Sequence, residues 1–199
     1  MAIILTEGNS GTSNYTPHPE GSFGAVCVDV YDEGLVEETW EGVTKMKHKL
    51  RVYFFCGEWT EENEEGKRFP MLVSKRFTAT LHENGALRPW LEAWRGRKFT
   101  PQELKGFDIE SLIGAPALIQ VTQVTKGDRT YANIDFAGRL PKGMEPPTPP
   151  ADFKRRHVRE AEKAAENGGD PEAVRQMGRP PQHEEPWPDG DEGEPDLPF

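Results

Sequence analysis

The sequence predicts an all-β fold with one helical interruption, and three observations carry that expectation. Five stretches alternate apolar and polar residues with the period-2 spacing of a half-buried strand. Between the third and fourth the spacing switches to that of a helix. After Pro141 the composition breaks into proline, glycine and acid, which cannot continue a sheet. A length of 199 residues suits one domain with an extension. The charge divides in the same place: residues 1–142 hold 17 Lys and Arg against 20 Asp and Glu, and residues 143–199 hold 7 against 14. The total of −10 therefore hides an almost balanced body, and a local basic surface matters more for anionic ligands than the sum.

Residues 1–22, rich in Gly, Ser, Thr, Asn and Pro, read as a flexible lead-in, with Ile3, Ile4 and Leu5 suited to a sheet edge. Residues 23–32 form the first expected strand, with Val26, Val28 and Val30 on one side and Ala25, Cys27 and Asp29 on the other. Residues 33–44 read as a polar loop holding Gly34, Gly42 and an exposed Trp40. The second strand, 47–59, separates cleanly. His48, Leu50, Val52, Phe54 and Cys56 point to the core, while Lys47, Lys49, Arg51, Tyr53 and Phe55 point outward. An acidic turn at 60–68 leads to the third strand, 69–81. There Val73, Phe77, Ala79 and Leu81 oppose Ser74, Arg76, Thr78 and Thr80. Lys75 falls on the apolar face, which signals a bulge or a different register.

Residues 84–96 carry helical spacing: Pro89 suits a first turn, Trp90, Leu91 and Trp94 share a face, and Gly96 closes it. That Trp stripe reads as a plug over the core. Thr100 to Glu103 is a capping box with Pro101 at the first helical position, and Asp108 caps a brief turn. Residues 115–125 and 130–140 are the fourth and fifth strands, joined at Gly127-Asp128. The 151–167 segment has good helix formers and an Arg156–Glu160 pair, but an isolated helix of this length is marginal in water and is expected to be transient.

Strands and helix in the order β-β-β-α-β-β suit a five-stranded Greek-key barrel of the oligonucleotide/oligosaccharide-binding (OB) type, plus a disordered acidic C-terminal tail. In that fold the ligand lies on strands two and three, between the loops joining strands one to two and four to five. The outward positions on those elements are Lys47, Lys49, Arg51, Tyr53, Phe55, Trp59 and Arg76, with Trp40, Lys126, Arg129 and Tyr131 in the flanking loops. Cations for phosphates beside flat rings for unpaired bases are what sequence-tolerant single-stranded nucleic-acid binding requires.

Catalysis has little support. There is no GxxxxGK[ST], HExxH or GxSxG, and the five histidines are scattered, His48 facing the core and the others on the surface or tail. Asp29, Asp32 and Glu33 offer a carboxylate cluster for a metal, but acids close to a turn are usually solvated, and Cys27 and Cys56 fit neither a zinc spacing nor a disulfide. No catalytic residue, metal or cofactor is expected. With no signal peptide and no apolar run of the ~18–20 residues that span a bilayer, the expected setting is the cytoplasm.

The last sixteen residues, EEPWPDGDEGEPDLPF, carry seven acids and no base. They end on Asp196, Leu197, Pro198 and Phe199, an apolar tip suited to capture in a pocket beside a basic patch. This tip resembles that of bacterial single-stranded DNA-binding proteins, which ends Asp-Ile-Pro-Phe; here Leu197 replaces Ile. Through LHENGALRPWLEAWRGRKFTPQELKGFD and TYANI, residues 23–142 are similar to phage and prophage OB-fold single-stranded DNA-binding proteins. The resemblance implies that the protein coats single-stranded DNA and recruits replication, recombination or repair proteins through Asp196 to Phe199, in the cytoplasm of a bacterial host. The expected organisation is a lead-in at 1–22, a DNA-binding domain at 23–142, and a spacer with acidic tail at 143–199. A competing reading is a phage adaptor or DNA mimic with no affinity for single-stranded DNA. Oligomeric state is left open.

Overall fold

In a computed structural model, which describes residues 16–63 and 65–166, five strands form one antiparallel sheet. The strands are β1 (Gly21–Trp40), β2 (Val43–Trp59), β3 (Pro70–Thr78), β4 (Pro116–Lys126) and β5 (Arg129–Gly138). Helix α1 (Leu87–Arg95), helix α2 (Pro101–Leu104) and a 3-10 turn (Ile109–Leu112) lie between β3 and β4, and α3 (Arg156–Glu166) follows β5. The strand order is β3-β2-β1-β4-β5. The two outermost strands curl back towards each other, and Lys75 Nζ on β3 donates to the Ile134 carbonyl on β5 at 2.6 Å.

Apolar residues on the inner face make the main core: Ala25, Cys27 and Val30 from β1, Leu50, Val52 and Phe54 from β2, and Val73, Phe77, Ile119, Val121 and Ile134 from the rest. Helix α1 closes it as expected, with Trp90, Leu91 and Trp94 buried. The Trp94 ring meets Phe54 edge-on at 5.1 Å, and its Nε1 donates to the Pro116 carbonyl at 2.9 Å. Gly96 caps α1 at φ 66, a left-handed value that costs glycine nothing. The Thr100–Glu103 capping box and the Asp108 cap both form.

Several expectations need correction. Residues 33–44 are not a loop: β1 and β2 continue as a ribbon joined by the two-residue turn Glu41-Gly42, both at positive φ (48 and 82). That is the mirror-image turn whose twist suits a hairpin. Since β4 pairs with β1 only over 21–26 and β3 meets β2 only from Lys49 onward, residues 34–48 form a two-stranded arm beyond the sheet. Second, β1 shifts register between Cys27 and Asp29, so Val28 is an extra residue. Val26 and Val28 therefore face outward while Val30 returns to the core, and Asp29 leaves the side of Cys27. Third, Lys75 sits in an unbroken register, opposite Val52, at the seam with β5. Burial lowers its pKa there.

Fourth, the ordered part does not stop at 142. Met144 packs over Gly24, where a Cβ would come within 3.1 Å of its Sδ, and Pro147 lies against Gly57. Phe153 then joins a second apolar cluster with Val26, Val28 and Phe55 on the outer face of the sheet. Helix α3 is thus held by tertiary contact, which is where most helix stability in proteins comes from. At the other end His18, expected at the surface, is buried edge-on against Phe23 at 4.9 Å. Residues 1–15, with Ile3 to Leu5, lie outside the described residues. Both cysteines are buried unpaired thiols, and desolvation pushes each pKa up to about 12.

Candidate nucleic-acid interface

The register of β1, β2 and β3 sets the outer face in four cross-strand rows. They run Val26–Phe55–Leu72, Asp29–Tyr53–Ser74, Tyr31–Arg51–Arg76 and Gly34–Lys49–Thr78. Directly opposed residues in an antiparallel pair share a face, so the surface grades from apolar at one end to basic at the other. The arm continues the basic end, with Lys47 opposite Val36 and Lys45 opposite Glu38.

The cations are held by the chain's own acids. Glu33 accepts from Arg51 Nε at 2.7 Å and Arg76 Nε at 2.5 Å. Burial pushes the Glu33 carboxyl up, but the two guanidinium bonds outweigh it and leave the pKa below its ordinary 4.5. Glu38 accepts from Lys49 Nζ at 2.7 Å and has Lys47 Nζ at 3.9 Å. The Lys49 hydrogen bond holds this carboxyl below its usual range too. Lys49 also donates to Thr78 Oγ1 at 3.0 Å and is buried rather than projecting.

The rings divide. Phe55 is only 2% exposed, covered by Val26, Val28 and Phe153, so it is an apolar core residue and offers no stacking surface. Alternation identifies the side it occupies; it carries no information about a segment that returns from far along the chain. Tyr53 is half-buried, its hydroxyl accepting from Arg156 Nη1 at 2.9 Å. Trp59 stays partly exposed with its ring edge-on to Phe55 at 5.8 Å. Trp40 pairs through its backbone with Val43 at the arm's tip. Lys126, Arg129 and Tyr131 stand exposed on the β4–β5 hairpin, and among the described residues no hydrogen bond or ion pair joins them to β2. The tip Asp196 to Phe199 lies outside the described residues.

Sequence reasoning missed Asp29, Tyr31, Arg155 and Arg156 as members of this face. Asp29, 2% exposed, accepts from Arg155 Nε at 2.8 Å and from the Arg156 backbone N–H at 2.7 Å. Arg155 Nη2 also reaches Glu110. The Arg156 guanidinium lies over the Tyr31 ring, 4.2 Å from its centroid, and its Nε donates to Glu160 Oε1 at 2.8 Å. Tyr31 donates its hydroxyl to Glu160 Oε2 at 2.8 Å; burial first, and then this bond to a carboxylate, raises its pKa to about 12. The Arg156–Glu160 spacing was visible in the sequence, but the bulge that turns Asp29 outward was not.

No family model matches the chain, and no curated protein does. Asp29, Asp32 and Glu33 do not form a shared carboxylate site, since they bond to Arg155, His48 and the Arg51/Arg76 pair respectively. Among the described residues no cluster of His, Cys, Asp and Glu has metal-binding geometry, and no helix is long and apolar enough to cross a membrane. A cleft of about 710 Å³ lies between β3, β5 and the start of α1, lined by Lys75, Trp90 and Phe136, away from the four rows.

Proposed function

We propose that this chain is an OB-fold protein that binds single-stranded nucleic acid across the outer face of β1–β3, with little sequence preference. The observation that carries the reading is the juxtaposition of rows: Tyr31–Arg51–Arg76 beside Asp29–Tyr53–Ser74, next to Lys49 and Lys47 of the arm. Rings alternating with cations are the two components such binding needs, and stacking on an aromatic ring contributes roughly 1–3 kcal/mol per base. The strand order, the approach of β3 to β5 and the helix between β3 and β4 support the reading as a closed Greek-key barrel, a fold that takes its ligand on strands two and three. Alternation assigned stacking to Tyr53 and Phe55; Tyr53 keeps that role and Tyr31 takes the place of the buried Phe55. Phosphates replace Glu33 and Glu38 as partners of Arg51, Arg76 and the lysines. Capture of replication, recombination or repair proteins by Asp196 to Phe199 completes the proposal, on the sequence resemblance alone.

The adaptor reading draws on one specific observation, that the cations are already paired within the chain. A titration with oligo(dT), followed by tryptophan fluorescence at two salt concentrations, separates the two readings. Phosphate contacts give a slope of about −0.7 per contact in log K against log salt, whereas an adaptor shows no binding at either concentration. Tyr53→Ala and Lys49→Ala should each weaken binding; wild-type affinity in both would misplace the face.

A further inference from the structure

The segment that follows the proline-rich spacer lies where a stacked strand would have to lie. Phe153 fills the apolar row beside Phe55. Arg155 and the backbone of Arg156 are fastened to the buried carboxylate of Asp29. The Arg156 guanidinium covers Tyr31 at 4.2 Å and bonds the Tyr53 hydroxyl. A plane at that distance from a ring occupies the space of a stacked base, so a base on Tyr31 and Arg156 on Tyr31 exclude each other.

From this geometry, and resting on the function proposed above, we infer that residues 153–166 are a strap that closes the nucleic-acid face in the free protein and must leave before bases stack on Tyr31 and Tyr53. Its attachment is shallow compared with the core. Helix α3 buries only Ala161, and the rest of the hold is Phe153, the bonds from Arg155 and the Arg156 backbone to the buried Asp29 carboxylate, and ion pairs at partly exposed side chains such as Arg156–Glu160. Segments with few buried apolar contacts open at a fraction of the global unfolding free energy. The strap is also basic, with Lys154, Arg155, Arg156 and Arg159. The spacer at 141–150, stiffened by five prolines, keeps a released strap close to the face, where the exposed Lys154 and Arg159, which take no part in the clamp on Tyr31 and Tyr53, reach phosphates beside the bound bases. The closed strap thus lowers apparent affinity by the fraction of molecules that are open. It also favours long polyanions, which reward both the bared rings and the freed cations.

The experiment uses the full chain and oligo(dT) in two measurements. Amide hydrogen exchange over 153–166 is compared with and without saturating oligonucleotide, and affinities are measured for wild type, Phe153→Ala and Arg156→Ala, with thermal melts to confirm folding. Oligonucleotide is expected to speed exchange across the strap. Phe153→Ala, which loosens the apolar anchor, is expected to bind about tenfold tighter by raising the open fraction. Arg156→Ala distinguishes a clamp from a side chain that holds the oligonucleotide: removing a clamp tightens binding, and removing a holding group weakens it. If oligonucleotide binds while exchange over 153–166 stays constant or slows, or if Arg156→Ala binds more weakly, the strap is a fixed wall of the site and the inference falls with the function intact. If no variant binds oligo(dT) at all, the proposed function falls and the strap's role with it.

Discussion

Two guanidinium groups of the outer face, Arg51 and Arg76, depend on Glu33. Its carboxylate bridges Arg51 and Arg76, and its pKa lies below 4.5 when the chain is folded. The unfolded chain therefore takes up the proton first as pH falls. The stability this contributes is complete above the unfolded value and is lost as pH drops through the folded one. Glu38 and Glu160 shift in the same direction, so they add to the effect. Urea midpoints are expected to decline as pH falls below about 5, and to decline less steeply in Glu33→Gln. An equal slope in that variant would assign the acid sensitivity to other carboxylates. Residue identity was legible at this scale and partnership was not: alternation placed Arg51 and Arg76 on one surface, yet Glu33 reaches them through a register shift between Asp32 and Gly34.

At the scale of elements, β2, the β4–β5 hairpin and α1 were readable because each carries its own signal. These are strict alternation, a Gly-Asp turn, and a tryptophan stripe ending at glycine. The arm was not readable. Its turn is Glu41-Gly42, outside the usual Asn-Gly or Asp-Gly pairs, and a ribbon wet on both faces has no apolar alternation to betray it. Leu35, Val43 and Met46 on the arm are exposed and take no part in the core. Replacing residues 39–44 by a tight Asn-Gly turn, which keeps Glu38 beside Lys49, should accordingly leave the melting temperature within a few degrees of wild type, on the order of a neutral surface change. The same variant should lose oligo(dT) affinity through the missing Trp40. A large fall in melting temperature would show that the arm supports the sheet.

Across the whole molecule, two openings of different depth are expected, and the thiols distinguish them. Cys27 and Cys56 lie on the inner face, within the cluster that also holds Val52, Phe54 and Trp94. Burial pushes both thiols up to about 12, so at about pH 8 neither is a thiolate, and neither is reached by a labelling reagent while the sheet is closed. The strap lies on the opposite face, over Val26, Val28 and Phe55. Its release uncovers rings and the Asp29 carboxylate but no sulfur. Phe153→Ala should therefore speed amide exchange over 153–166 while leaving the rates of Cys27 and Cys56 labelling as they are in wild type. Both thiols should then become reactive together as denaturant opens the sheet, because they share one core. If loosening Phe153 accelerates Cys27 labelling, strap and sheet open as one cooperative unit. A ligand would then have to bear the cost of disturbing the core to reach Tyr31, and the outer face would be a structural surface instead of a gated one.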